Sequence, residues 1–226
     1  MHLPTPREGP PRRPARRLGL RSIRFAILMI LISAGTLAAA TDGSYVVRNG
    51  DSLGRIASRC GTSVAEISRR NELAGDVVHV GQVLRISAPF QKVLPDKISW
   101  RHPFEGRPGR VLRPYGAQAG SVVGRRTGSD IAYALGGAVL APANGLVRYV
   151  GSQAGYGTLA IIDHGGDYTT VLGPLDPAHL AIETGRIVLK GESLGRCGAP
   201  VEGKEPYLHV ELRCKSEAVD PSRLLR

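Results

Sequence analysis

With 226 residues the chain has length for one or two domains, and 42% hydrophobic with only 5% aromatic residues is an ordinary soluble composition. Its formal charge of +11 is concentrated at the start: residues 1–40 hold seven arginines against one glutamate, leaving 23 basic and 18 acidic residues, or +5, for the remainder. A balance of that size suits an anionic polymer as partner, and equally an ordinary basic surface. No basic patch interleaved with aromatics occurs in the folded part, so there is no case for nucleic acid.

Residues 1–22, with Pro4, Pro6, Pro10, Pro11 and Pro14 among the arginines, cannot build a core and read as a disordered, positively charged leader. From Phe25 to Ala40 run 16 uncharged residues, short of the roughly 20 that a spanning helix needs. The run ends in Ala38-Ala39-Ala40, which fits cleavage after Ala40 by a signal peptidase. Export to the periplasm or cell envelope is the expectation. An uncleaved inner-membrane anchor, touching the membrane only through residues 23–40, is the alternative. Arg16-Arg17 matches a twin-arginine signal weakly, because Gly19 stands where a bulky apolar residue is preferred. No cysteine follows the apolar run, which argues against a lipoprotein.

Residues 44–87 open on a strand signal, Tyr45-Val46-Val47, and close on another, Val83-Leu84-Arg85-Ile86. Between them Leu53, Ile56, Ala57 and Cys60 fall at helical spacing behind Asp51, a candidate cap. Ser63-Val64-Ala65-Glu66 then forms a capping box with Val64 and Ile67 inward. This β-α-α-β unit, with Gly50-Asp51-Ser52-Leu53, Ile56-Ala57, Asn71 and Gly81-Gln82-Val83-Leu84 as landmarks, resembles the LysM carbohydrate-binding module. The resemblance implies a shallow groove for N-acetylglucosamine chains, lined by Gly50, Asp51, Ser52, Leu53 and by Val77, Val78, His79, Val80. Asp51 also reads as a helix cap and Leu53 as core.

Residues 88–97, with Pro89 and Pro95, break both periodicities and read as a linker. From 98 to 226 the chain carries short apolar runs bounded by glycine or proline: Val139-Leu140, Leu146–Val150, Leu159–Ile162 and Tyr168–Leu172. Such spacing predicts a mostly antiparallel β domain with a groove, so the whole chain reads as α+β. The last long strand is Pro206–Leu212. Alternation puts Tyr207, His209 and Glu211 on one face and Leu208, Val210 and Leu212 on the other. Of three cysteines, Cys60 reads as a buried helical residue, while Cys197 and Cys214 flank a predicted hairpin and are candidates for a disulfide.

The strand Tyr207-Leu208-His209 and the segment Arg126-Thr127-Gly128-Ser129-Asp130 together resemble the two metal-binding signatures of the LytM/lysostaphin-type zinc endopeptidases, the M23 peptidases: H-x-G-x-D, and far downstream H-x-H. Landmarks in order between and around them are Trp100–Phe104, expected to be the opening strand, Ala141-Pro142-Ala143-Asn144-Gly145, Gly155-Tyr156-Gly157, Ile162-Asp163-His164-Gly165, Lys190–Gly195 and Val219-Asp220-Pro221. The resemblance implies the family's mostly antiparallel (duplicated hybrid motif) fold over residues 98–226. It places Asp130 and His209 where two of three zinc ligands stand.

The remaining positions depart from the pattern. Arg126 holds the first ligand position, Tyr207 the first histidine of H-x-H, and Pro174 the place of a further active-site histidine. A catalytic zinc keeps three protein ligands and an open position for a water that it acidifies. Arginine offers no lone pair, proline moves no proton, and neutral tyrosine is a poor base. His164 reads as a structural turn residue, and His179 as a remote substitute for the lost histidine. Degenerate LytM domains of the EnvC/NlpD type, often joined to LysM modules, bind cell-wall amidases and relieve their autoinhibition without cutting peptidoglycan. The resemblance therefore implies an exported peptidoglycan-binding amidase activator that needs no cofactor and whose partner groove comprises Arg126, Asp130, Tyr207 and His209. A zinc-dependent endopeptidase and a passive wall-binding protein remain alternatives. The expectation for the vacated site is that the Arg126 guanidinium replaces the metal's charge and pairs with Asp130.

Overall fold

The structure, a computed structural model, describes residues 42–87, 98–117, 126–201, 203 and 205–225. The leader and linker readings therefore fall outside the described residues. Among the described residues no helix is long and apolar enough to cross a membrane.

The first module pairs β1 (Asp42–Val46) antiparallel with β2 (Val83–Ser87), with Tyr45 opposite Leu84. Helices α1 (Leu53–Cys60) and α2 (Val64–Arg70) pack on this ribbon. Leu53, Ile56, Ala57 and Cys60, spaced to share one helical face, are all buried, as is Ile67. Gly61, at φ 68°, adopts the left-handed conformation that ends α1. Asn71 continues the ribbon with its side chain: its Oδ1 accepts from the Arg85 N–H at 2.7 Å and its Nδ2 donates to the Arg85 carbonyl at 2.8 Å.

Both caps differ from the sequence expectation. The N-cap of α1 is Ser52, with extended backbone and a side chain that accepts from the Arg55 N–H. Asp51, one residue too early, instead accepts from the Tyr45 hydroxyl at 2.7 Å, the Arg48 N–H at 2.9 Å and Arg59 Nη1 at 2.8 Å, bracing strand to helix. Only half of the Ser63–Glu66 capping box forms. Ser63 Oγ accepts from the Glu66 N–H at 3.1 Å, but the Glu66 carboxylate turns to Arg69 and Arg70, whose guanidiniums bind it more strongly than a neutral amide would.

In the second module one antiparallel sheet joins, in spatial order, β3 (Val111–Arg113), β4 (Ser129–Ala132), β11 (Tyr207–Cys214), β8 (Tyr168–Leu175), β7 (Gly157–Gly165), β6 (Gly145–Gln153) and β9 (Ile187–Val188), with β12 (Glu217–Val219) beside β11. Strands β5 (Ala138–Leu140) and β10 (Ser193–Arg196) pair separately. Leu208, Val210 and Leu212 are fully buried in a core with Phe104, Ile131, Val147, Ile162 and Leu172, each such side chain contributing about 1.5–3 kcal/mol. The other face of β11 is left to carry polar groups. A chain of short strands around one apolar layer is thus the expected α+β architecture, with the site at its centre.

Two expectations for this module fail. Residues 98–104 form no regular strand: Pro103 has no N–H to offer a ladder, and the segment is held by an isolated bridge from Phe104 to Val139 and by two backbone bonds, Arg101 N–H to the Pro142 carbonyl and Leu140 N–H to the Pro103 carbonyl. Cys197 and Cys214 do not flank one hairpin, because β10 pairs with β5 while β11 runs between β4 and β8. Cys197 Sγ faces the Tyr207 carbonyl at 3.3 Å, Cys214 lies opposite Tyr168 and Glu217, and all three cysteines are free thiols.

The two modules also dock, which their sequences do not announce. Leu146 and Ile187 from the second join the apolar cluster of Tyr45, Leu53 and Ile86 in the first. The Ser44 N–H donates to the Gly185 carbonyl at 2.8 Å, and Asn144 Nδ2 donates to the Arg59 carbonyl at 3.1 Å. Gly43 is required here: a Cβ would lie 2.7 Å from Ile187.

Candidate functional site

Strand β11 delivers His209 between Asp130 on β4 and Gly173 on β8, opposite both in register. The approach is close. A Cβ on Gly128 would come within 2.7 Å of His209 Cε1 and of the Val210 carbonyl, so only glycine fits beneath the imidazole. His209 Nδ1 donates to Asp130 Oδ1 at 2.6 Å and Nε2 faces Glu211 Oε2 at 3.4 Å. Burial alone would lower the imidazole pKa, but these two carboxylates outweigh it and push it up to about 9. At neutral pH His209 is an imidazolium with both N–H groups directed at acids.

Each carboxylate is held by further partners. Arg113 Nε donates to Asp130 Oδ2 at 2.6 Å, and Arg126 Nη1 reaches the same oxygen at 3.3 Å. Glu211 accepts from Thr127 Oγ1 at 2.8 Å and pairs with Arg213. Burial works against the charge of both acids, yet His209 first, and then Arg113 at Asp130 and Arg213 and Thr127 at Glu211, keep their pKa values below the ordinary range. Aromatic rings close the site. Arg113 lies over the Tyr207 ring at 4.5 Å, and Tyr156, at the tip of the β6–β7 hairpin, meets the His209 ring edge-on at 5.4 Å. The Tyr156 hydroxyl, pushed up to about 12 mainly by burial, stays neutral. Arg113, Arg126, His209 and Arg213 against Asp130 and Glu211 leave the cluster at +2.

The four sequence-predicted groove residues are thus brought together, but not equally presented. Asp130 and Tyr207 are buried at 2% and 5% exposure, and the His209 side chain is 13% exposed, whereas Arg113 and Arg126 each keep 24%. An incoming molecule meets arginine first. Pro174 is buried at the end of β8 under Gly157, with Val201 beside it. Sequence reasoning passed over Arg113, Thr127, Tyr156, Glu211 and Arg213 as site members. Glu211 and Arg213 were findable, since both follow His209 at period two. Arg113 was not, because a register shift in β3 brings it opposite Asp130.

Two other histidines stand apart. His164 donates through Nδ1 to the Asn144 carbonyl at 2.8 Å and accepts at Nε2 from Thr170 Oγ1 at 2.8 Å, a neutral tautomer whose pKa burial lowers to about 4. His179 bonds Asp176 at 2.7 Å on the turn Pro177–His179 and does not join the cluster. Among the described residues no group of three or more His, Cys, Asp or Glu is arranged to hold a metal ion. In the first module Val77 and Val80 are 74% and 68% exposed, whereas Leu53 is buried and Val78 packs on the core. The exposed part of the expected glycan groove is therefore Gly50, Ser52, Val77, His79 and Val80, with Asp51 occupied in bracing.

Residues 45–87 match the LysM domain, and residues 124–221 match Peptidase family M23. The uncharacterized lipoprotein YgeR of Escherichia coli K12 is 29% identical over 239 residues, covering 88% of this chain and 92% of that protein. The murein hydrolase activator NlpD of the same organism is 34% identical over 128 residues, 56% of this chain but only 31% of NlpD. The SpoIIQ–SpoIIIAH pore-forming complex contains a chain of the same fold, with a TM-score of 0.50 at 17% identity over 57% of this chain and 91% of that one.

Proposed function

As a cell-wall-related protein that joins a LysM domain to a domain of peptidase family M23, this chain is, we propose, an exported peptidoglycan-binding activator of cell-wall amidases that does not itself cut the polymer. The observation that carries the reading is the bonding of His209. A catalytic zinc is held by lone pairs of neutral imidazoles and a carboxylate. Here both imidazole nitrogens face carboxylates, Nδ1 on Asp130 and Nε2 on Glu211, and two guanidiniums, which have no lone pair, converge on the other Asp130 oxygen. The residues present do not fit zinc. They fit a closed network of ion pairs in which arginine replaces the metal's charge.

What such a site can still do is bind. Arg113 and Arg126 form its accessible edge, and the +2 balance of the cluster, which these two arginines supply, favours an acidic side chain of a partner protein. The name of NlpD, a murein hydrolase activator, supports an activating role for a domain of this kind, and the first module supports retention on glycan strands through Gly50, Ser52, Val77, His79 and Val80. Residues 1–40 supply export, by a cleaved signal or as an anchor.

The direct test is dye release from labelled peptidoglycan by the purified protein alone, by a cell-wall amidase alone, and by both. Release by the amidase rising with added protein, and none from the protein alone, is expected. Release by the protein alone that a chelator abolishes would establish the zinc endopeptidase instead, and no effect in any arm would leave a passive wall-binding protein.

A further inference from the structure

We infer that the junction of the two modules is a second binding site, for the carboxylate-bearing peptide branches of a glycan strand whose sugars lie on the first module. This rests on the peptidoglycan-binding reading above and goes beyond it, because neither module contains the site alone.

The junction encloses a cleft of about 510 Å³, with Arg48, Asp51, Arg55 and Arg59 on one wall and Lys190 and Glu192 on the other. It is a built site. The Glu192 side chain, 8% exposed, receives Arg48, Arg186 Nη2 at 2.9 Å and the Leu189 N–H at 2.9 Å; the Asp51 side chain, 3% exposed, receives Arg59. Across the cleft, Asn144 Oδ1 accepts from the Lys190 N–H at 2.8 Å while its Nδ2 donates to the Arg59 carbonyl, fixing the walls to one another.

The charges then decide the ligand. Arg48 and Arg59 are balanced by the two buried carboxylates. Among the described residues Arg55 and Lys190 meet no carboxylate: Arg55 Nη1 donates to the Gly50 carbonyl at 2.8 Å and Lys190 Nζ to Ser99 Oγ at 2.6 Å, both neutral acceptors. Two positive charges with N–H groups to spare line a cleft whose volume suits a small ligand. A carboxylate received there gains charge-assisted hydrogen bonds, whereas a bare N-acetylglucosamine chain brings no anion. Position supplies the rest. Gly50 belongs both to the cleft and to the loop that faces the glycan, so a strand seated on that loop suspends its branches over Arg55 and Lys190.

The test measures binding of the full chain to an N-acetylglucosamine oligomer, to a disaccharide-tetrapeptide muropeptide, to the same disaccharide without peptide and with its lactyl carboxyl blocked as the amide, and to anionic phospholipid vesicles. The expected result is about tenfold tighter binding of the muropeptide than of its peptide-free disaccharide, the usual size of a charge-assisted pair. Arg55→Gln with Lys190→Gln removes that preference and leaves the oligomer affinity and the unfolding midpoint unchanged. Equal affinity for muropeptide and disaccharide, or a preference that survives the double substitution, overturns the proposal. So does vesicle binding that needs Arg55 and Lys190 without any muropeptide preference, which would make the anion a lipid phosphate. Loss of binding to the oligomer as well as the muropeptide by the wild type would refute the peptidoglycan reading itself.

Discussion

Arg113 and Asp130 meet at 2.6 Å through Nε and Oδ2, while the same guanidinium lies over the ring of Tyr207 at 4.5 Å. One side chain thus holds the Asp130 oxygen left open by His209 and leans on Tyr207 at the same time. Arg126, nearer in sequence, is the more distant partner at 3.3 Å.

Arg113→Ala is expected to destabilise the fold more than Arg126→Ala. Removing Arg113 leaves a buried carboxylate short of its nearest guanidinium, a loss approaching the roughly 3–5 kcal/mol of a broken buried pair, while Arg126 is worth about 1 kcal/mol or less. Urea unfolding of the two variants measures this; the reverse order would contradict the assignment. Arg126→Ala is expected instead to show its effect in weakened amidase stimulation.

Gly128→Ala forces a methyl to within 2.7 Å of His209 and of the Val210 carbonyl. Overpacking of this kind costs about 1–3 kcal/mol. A lowered melting temperature with a shifted His209 ring resonance is the expected readout, and an unchanged melting temperature would show that the close approach is not real.

Stability should depend on pH through two histidines of opposite sign. His209, faced by Asp130, Glu211 and Tyr156 with Arg213 behind, has a folded pKa of about 9 against an ordinary 6.5. Its contribution is complete below pH 6.5 and is lost as pH rises through 9, and is on the order of a few kcal/mol. His164, folded pKa about 4, contributes fully above pH 6.5 and loses stability as pH falls toward 4. Denaturant midpoints from pH 4 to 10 should show both limbs, with His209→Gln flattening only the alkaline one. An alkaline limb unchanged in that variant would contradict the assignment.

Restoring histidine at 126 and 207 should not by itself restore a zinc site. Arg113 still holds Asp130, so Arg126→His with Tyr207→His is expected to bind zinc at least about tenfold more weakly than the triple variant that also carries Arg113→Ala. Calorimetric zinc titration distinguishes them. Equal affinity would mean that Arg113 does not guard the site.

Much of this was legible in the chain. Period-two alternation from Leu208 to Leu212 gave the core face and the polar face of β11, and the helical spacing of Leu53, Ile56, Ala57 and Cys60 gave α1. Other features were not legible because they depend on geometry without a local signature. The helix begins one residue later than Asp51 suggests, freeing that carboxylate for Tyr45 and Arg59. Arg113 reaches Asp130 only through a register shift in a three-residue strand. The docking of the modules through Gly43, Leu146 and Ile187 joins residues more than a hundred positions apart, each of which reads locally as ordinary strand. The cysteine arithmetic pointed to a hairpin that the sheet order does not contain.

The most direct test of the central claim is the identity of the products released from purified peptidoglycan, separated by chromatography and mass spectrometry. The account predicts that peptides freed intact from the glycan appear in quantity only when this protein and an amidase are present together, and that the protein alone, with zinc supplied, leaves every peptide cross-link in place. Cross-link cleavage by the protein alone would contradict it.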